Sequence, residues 1–363
     1  MMTRIYNFGA GPAMLPEAIL KSAQEELLEW NNLGMSVLEI GHRTNEFSNL
    51  LEKAEQSLRN LLEIPKNYKV LFLGGAARTQ FAMIPMNLLR AKEQAAYLVT
   101  GIWSQMALEE AQLLKHAYAA SDEEKSGYKS IPTQNSWKLK EKTSYLYYTP
   151  NETVNGVRFP YVPESNGIPL IADMTSCLLS EPFDIKQFGL IFAGAQKNIA
   201  NAGLTIVIIR EDLINILPDP MVPTMLNYKI QTEHNSLYAT PPVFNCYIAA
   251  KMFDWIKEQG GVESLYKQNC LKAEKLYNYL DSTEFYTTSV QKEARSIMNI
   301  CFALKEPKLE SKFLQSAEEK GLSALKGHRM VGGLRASIYN AMPMAGVNAL
   351  IDFMKLFAQD NPL

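Results

Sequence analysis

The sequence predicts an α/β protein: a doubly wound, largely parallel sheet followed by a small α+β domain. Three observations predict it. Short apolar runs of strand length, each bounded by turn residues, recur as far as Arg210. Patterns of helical period separate them, and alternating β and α argues for a parallel sheet with helices packed on it. Polar groups follow the carboxyl end of run after run, which is the edge where open α/β sheets bind ligands.

Bulk properties narrow the class. At 363 residues the chain exceeds one ordinary core, so two domains are expected. Hydrophobic residues at 47% and charged residues at 20% suit a soluble globular protein. A formal net charge of -2 offers no basic field for nucleic acid or an anionic membrane, so any anionic ligand must be met by local clusters. Cys177, Cys246, Cys270 and Cys301 are scattered without a CxxC pair, and the histidines show no metal-ligand spacing; neither a metal nor a disulfide framework is expected. The N-terminal residues lack the apolar core of a signal peptide, and no apolar run is long enough to span a bilayer. The reducing cytoplasm is the expected compartment.

Taken in order, Asn7–Pro12 is a glycine-proline segment and hence loop. Ile19, Leu20, Leu27, Leu28 and Trp30, interleaved with charge, predict a helix from Pro16 to Leu33, stopped by Gly34. Ser36–Thr44 is irregular and carries an exposed-looking His42-Arg43 pair. A second amphipathic helix is predicted over Asn45–Ile64, ended by Pro65. Strand Lys69–Leu73 then leads through Gly74-Gly-Ala-Ala-Arg78-Thr79 into a helix over Gln80–Leu89. Such a turn exposes backbone N–H groups at a helix N-terminus, which suits phosphate, and Arg78 adds charge-assisted bonds. It is neither GxGxxG nor the P-loop, so an ordinary tight turn stays equally open.

Strand Ala95–Gly101 comes next, with Trp103 at its end before a helix over Ser104–Leu114. A tryptophan there either stacks on a planar ring or fills the core. His116–Ala120 is a short strand, Ser121–Lys142 is loop with surface helix, and Thr143–Thr149 is a strand ending in the polar cluster 150–156. The apolar run Ile168–Ala172 stops at Asp173, and Gly189–Gly194 ends in Ala195-Gln196-Lys197-Asn198, before a third run, Leu204–Arg210. An acid and an amine thus share one crevice. A buried lysine can lose its proton and form a Schiff base, and pyridoxal phosphate needs an anion at its ring nitrogen. Lys197 and Asp173 fit those roles; a surface lysine and a helix-capping aspartate are the plainer alternative.

Past Arg210 the pattern changes. Pro218–Thr240 is a long polar loop of the functional or interface kind. Phe244 to Leu280 is helical with a break at Gly260-Gly261, taken as the domain boundary. Tyr286–Val290, Ile297–Ala303 and Leu334–Tyr339 are strands of the small domain, covered by helices at Glu310–Lys320 and Gly346–Gln359. Between them Lys326-Gly-His328-Arg329-Met-Val-Gly-Gly-Leu-Arg335 gathers cations and glycines into a local anion site.

Several of these pieces occur together in one family. They are Gly41-His-Arg43, Gly75-Ala-Ala-Arg78, Thr100-Gly-Ile-Trp103-Ser104, Asn151-Glu-Thr153, Ala195-Gln-Lys197-Asn198, Ala239-Thr-Pro-Pro242 and Gly327–Asn340. In this order, over nearly the whole chain, they closely resemble the phosphoserine aminotransferase family, class V aminotransferases of the aspartate-aminotransferase-like fold (fold type I). The resemblance implies a large domain with a mostly parallel seven-stranded sheet over residues 16–259, and a small α+β domain formed by 1–15 and 260–363.

By the same resemblance Lys197 is the Schiff-base lysine and proton shuttle, Asp173 pairs with the pyridinium nitrogen, Trp103 stacks on the ring and Thr153 bonds its hydroxyl. Ala77, Arg78 and Gln196 hold the cofactor phosphate, with Thr240 given by the other subunit of a homodimer. Arg335 grips the substrate α-carboxylate. His42, Arg43, His328 and Arg329, drawn from both subunits, hold the distal phosphate or carboxylate. A substrate with two anionic ends needs two separated cationic clamps, and arginine forks bind such groups bidentately. Ala239 departs from the family's usual Asn and is expected to cost one bond to the cofactor phosphate; Ala200-Asn201 replaces a common Gly-Pro.

The activity implied is amino transfer from L-glutamate to 3-phosphohydroxypyruvate, giving O-phospho-L-serine and 2-oxoglutarate, in serine biosynthesis. A second acceptor, 3-hydroxy-2-oxo-4-phosphonooxybutanoate, would link it to pyridoxine biosynthesis. No nucleic acid, membrane or metal is expected. The alternatives are another class V activity, alanine–glyoxylate transamination or cysteine desulfuration, and a catalytically silent protein that kept the fold.

Overall fold

The computed structural model describes residues 4–134, 136–216 and 222–362. Strand β1 (Tyr6–Asn7) is followed by α1 (Glu17–Glu26), which buries Ile19 and Ala23 one turn apart. The helix expected to reach Leu33 stops seven residues earlier. Asn31 and Asn32 adopt φ of 55° and 58°, the left-handed region that helices cannot pass through, and Trp30 turns into the core as its N–H donates to the Met35 carbonyl at 3.0 Å. Helix α2 (Asn45–Leu62) starts where Thr44 Oγ1 accepts the Phe47 amide and ends at Glu63, φ 52°. Its buried stripe of Phe47, Leu51, Ala54, Leu58 and Leu62 follows the helical period.

Strand–helix alternation follows: β2 (Tyr68–Gly74), α3 (Thr79–Leu88), β3 (Gln94–Val99), α4 (Ile102–Leu114), β4 (Ala117–Asp122) and β5 (Thr143–Tyr148). Trp103 therefore stands in the first turn of α4 and not at a strand end. The helix expected within Ser121–Lys142 is absent among the described residues apart from a 3-10 turn, Glu124–Ser126. Left-handed residues at Gly127, Tyr128 and Lys142 break it, and Trp137 is drawn into the core. A short hairpin, β6 (Asn151–Glu152) and β7 (Val157–Arg158), precedes β8 (Leu170–Asp173), β9 (Leu190–Gly194) and β10 (Leu204–Arg210).

These strands build one seven-stranded sheet in the order β2-β10-β9-β8-β5-β3-β4. All are parallel except β10, antiparallel to both neighbours. The carboxyl ends of β2, β9, β8, β5 and β3 consequently share one edge. Alternate residues feed opposite faces: Val70 and Phe72 enter one core, Leu71 and Leu73 the other. A sheet covered on both sides needs apolar residues at every position, which is why its strands are continuous apolar runs.

After α5 (Glu211–Ile214) the long loop expected over Pro218–Thr240 divides. Residues 217–221 lie outside the described residues; beyond them the chain forms α6 (Tyr228–Glu233), capped by Asn227 Oδ1 accepting the Lys229 and Ile230 amides. Helices α7 (Val243–Glu258) and α8 (Gly261–Asp281) meet at the glycine pair, as expected. Strands β11 (Tyr286–Thr287) and β12 (Asn299–Leu304), helix α9 (Glu310–Glu319), β13 (Leu322–Ser323), β14 (Leu334–Ser337) and α10 (Met344–Asp360) complete the chain. They enclose a second core with Phe8, because β1 pairs parallel with β13. Truncating one fully buried leucine of either core to alanine would cost about 2–5 kcal/mol.

Candidate active site

The shared sheet edge opens into a cavity of about 260 Å³ between Lys197, Asp173, Thr153 and Trp103. Strand β8 delivers Asp173 into it, buried, with Oδ1 accepting the Thr175 amide at 2.9 Å. Burial pushes this carboxyl up, and the Thr175 bonds and Lys197 draw it back. Strand β9 ends at Gly194, whose N–H donates to Thr175 Oγ1 at 3.1 Å. Lys197 follows three residues later, buried, its Nζ donating to Thr153 Oγ1. Burial lowers this lysine to about 8, with Asp173 opposing and Arg335 adding to the shift. An amine that can be neutral near physiological pH, facing a buried carboxylate, is equipped to bond a carbonyl and move protons.

The far wall comes from two helix starts. Gly75 takes φ 116°, and among the described residues no backbone bond uses the amides of Ala76, Ala77 or Arg78 just before α3. A Cβ on Gly194 would come within 2.6 Å of Gln196 Oε1, so the glutamine folds back over that glycine. The Arg78 guanidinium lies 5.4 Å from the centre of the Trp103 ring. Trp103 Nε1 and Thr149 Oγ1 are buried without a partner, and both residues line the cavity. Free amides at a helix start, two unpaired donors, an indole, an amine and an anion fit a phosphorylated pyridine aldehyde such as pyridoxal phosphate.

Arg335, on β14, does not line this cavity but reaches its Thr153 wall from behind, its Nη1 donating to the Thr153 carbonyl at 3.3 Å. It also lines a smaller hollow of about 140 Å³ with His328, whose pKa is lowered by burial and by Arg335 and Arg329. Arg329 is exposed. His42, Arg43 and Thr240 line neither hollow; His42 Nε2 is buried without a partner, whereas Arg43 and Thr240 are exposed. A separate hollow of about 210 Å³ beside Tyr148 and Tyr266 holds its two charges, Arg158 and Glu181, already paired. Cys177 borders that hollow and not the Lys197 cavity, and burial pushes its thiol well above the ordinary range.

Two contributors escaped the sequence reading. Asn151 is the centre of a buried network, donating to Ser176 Oγ and Asn299 Oδ1 and accepting from Ser296 Oγ. Glu152 accepts from the start of α4. In the sequence 150–156 reads as a polar cluster and Asn151-Glu-Thr153 as a family piece in which Thr153 alone carries a role; the signal for Glu152 is an acid in that piece while the α4 start at Gly101 lacks a capping side chain.

The aminotransferase class-V family model matches residues 5–350. A phosphoserine aminotransferase of Legionella pneumophila (strain Corby) is 71% identical over 361 residues, covering 99% of this chain and 100% of its own. Among solved structures, the phosphoserine aminotransferase of Bacillus circulans subsp. alkalophilus superposes with a TM-score of 0.96 at 44% identity, covering 98% of this chain and 99% of its own. The PLP-bound phosphoserine aminotransferase of Trichomonas vaginalis gives 0.93 at 38%, covering 97% and 100%.

Proposed function

This chain belongs to the class-V aminotransferase family, and we propose from that premise how its cavity performs the reaction. It is a pyridoxal-phosphate-dependent aminotransferase with phosphoserine aminotransferase function: L-glutamate gives its amino group, and 3-phosphohydroxypyruvate receives it to become O-phospho-L-serine. When bound, pyridoxal phosphate supplies the carbonyl that takes the amino group and the ring that accepts the electron pair left when the Cα–H bond breaks. Lys197 would anchor it and then carry the proton to and from the substrate Cα. Asp173 would keep the ring nitrogen protonated. Trp103 would cover one ring face, and Thr153 Oγ1 would bond the ring hydroxyl. Ala77, Arg78 and Gln196 would hold the phosphate, with Thr240 from the partner subunit.

Arg335 would take the α-carboxylate, beside Lys197 as the reaction requires. His42, Arg43, His328 and Arg329 would form the second clamp, for a phosphate in one half-reaction and a side-chain carboxylate in the other. A homodimer with shared sites goes with this reading. His42 and Arg43 line neither the Lys197 cavity nor the His328 hollow of their own chain, and the preceding segment leaves Leu28 87% and Leu38 57% exposed, a surface suited to burial against a second copy. We infer 3-hydroxy-2-oxo-4-phosphonooxybutanoate as a second acceptor, since the same two clamps would receive it. We propose a large domain over 16–259 and a small one formed by 1–15 and 260–363. Phe8 in the second core supports it, although α8 sends Val262 and Leu265 into the first core before its later turns join the second. A cytoplasmic location suits its four free cysteines; among the described residues no helix is long and apolar enough to cross a membrane.

The observation that carries the mechanism is Lys197: buried, drawn down to about 8, bonded to Thr153 and facing Asp173 in one cavity. The test is a visible spectrum of the purified protein with pyridoxal phosphate, before and after L-phosphoserine, beside Lys197→Ala. The expected result is a lysine-dependent absorbance band that phosphoserine shifts. A wild type that stays colourless overturns the assignment, and a band answering alanine or cysteine but not phosphoserine overturns the substrate. Against the cysteine desulfurase alternative, Cys177 borders the Arg158–Glu181 hollow and not the Lys197 cavity.

A further inference from the structure

Glu152 has no part in the reading above, yet its carboxylate joins two walls of the cavity. It is fully buried. Helix α4 begins after Gly101, a residue with no side chain to accept the free amides of the first turn. Glu152 does so from another element: its carboxylate accepts the Trp103 amide at 3.1 Å and the Ser104 amide at 2.8 Å. Ser104 Oγ lies 2.7 Å from the same carboxylate while accepting the amides of Thr100 and Gly101 at 2.9 and 3.1 Å. A Cβ on Gly101 would come within 2.4 Å of Glu152 Cδ, so the glycine is needed to admit the carboxylate. The remaining amide of that turn, Ile102, donates to Asn155 Oδ1 at 3.3 Å.

The segment that caps α4 also carries Thr153. That residue takes the Lys197 amine on its hydroxyl and the Arg335 guanidinium on its carbonyl. The indole on one side of the cavity and the threonine on the other are therefore tied through one carboxylate. An anion at a helix N-terminus with three donors is a strong tie, and its burial makes the tie rigid. Burial pushes Glu152 up to about 7 against those same donors.

We propose that Glu152 is a positioning residue for the reaction, fixing the spacing between Trp103 and Thr153 within which the cofactor ring must fit. This rests on the pyridoxal-phosphate reading above. A displacement of about 1 Å at such a site can cost about 100-fold in rate, and the loss expected here is taken as about 10- to 100-fold, the size seen when partners that orient metal ligands are removed.

The test compares wild type, Glu152→Ala and Glu152→Gln in the full chain. Amide hydrogen exchange of the cofactor-free protein over the first turn of α4 is measured first, then pyridoxal phosphate affinity by quenching of tryptophan fluorescence, and the position of the visible band. In Glu152→Ala the first-turn amides should exchange at least about tenfold faster, and the cofactor should bind about 10- to 100-fold more weakly with a displaced band. Glu152→Gln, which keeps the size and one acceptor oxygen, should move the same way by less, and serves if the alanine variant does not fold. Unchanged exchange overturns the proposal. Faster exchange with wild-type affinity and band also overturns it, leaving a helix cap without a positioning role. A wild type that takes up no cofactor overturns the underlying reading and the positioning role with it.

Discussion

In the cofactor-free protein, the Lys197 amine should lose its proton near pH 8, and two substitutions should move that midpoint in opposite directions. Burial lowers the lysine to about 8, the Asp173 carboxylate opposes the shift and the Arg335 guanidinium adds to it. At pH 7 an amine titrating at 8 is neutral in about one molecule in ten, against about one in 3,000 for an ordinary lysine, a ~300-fold gain in nucleophile. Asp173→Asn removes the charge that favours the ammonium, so the midpoint should fall. Arg335→Leu removes a charge that disfavours it, so the midpoint should rise. The assay is competitive labelling with trace acetic anhydride from about pH 6 to about pH 11, read by mass spectrometry of the Lys197 peptide against exposed Lys308. A wild-type midpoint at or above 10, or variants that shift together, would refute the claim that burial and these two charges set the amine.

Two further outcomes follow from packing. Gly156 sits at φ 72°, and a Cβ there would come 2.8 Å from the Asn299 carbonyl and 3.0 Å from Cys301 Sγ. Gly156→Ala should cost about 2 kcal/mol or more in chemical denaturation and, by moving the hairpin that carries Thr153, weaken pyridoxal phosphate binding in a parallel titration. Lys272 is buried in α8 and donates to the carbonyls of Ile338, Tyr339 and Met342 at 3.1, 2.9 and 3.0 Å. Lys272→Met would strand the buried Ile338 and Met342 carbonyls, while the Tyr339 carbonyl keeps the Met342 amide at 2.9 Å, and about 2–4 kcal/mol should be lost in the same assay; a loss below about 1 kcal/mol would mean that water or a shifted backbone replaces the lysine.

Much of the chain was legible in order. Continuous apolar runs ending in polar residues located the core strands of the sheet, because a strand buried on both faces needs apolar side chains throughout and a turn needs polar ones. That pattern also brings Asp173 and Lys197 to one edge, and Gly75 and Gly332 with their neighbouring glycines to turns, from local sequence alone. It misjudged α1 and the segment after β4, where apolar period or charge suggested helix but left-handed residues and the burial of Trp30 and Trp137 decided otherwise. Hydrophobic pattern has no direction, so the antiparallel course of β10 and the strand order came only from pairing between residues far apart in sequence. The same holds for the pairing of β1 with β13, which places Phe8 in the second core. The Glu152 carboxylate at the start of α4 and the lowered pKa of Lys197 likewise depend on what surrounds them. Local sequence specifies which residues must be buried or must turn; which neighbours meet them there, and with what charge, is settled by long-range packing.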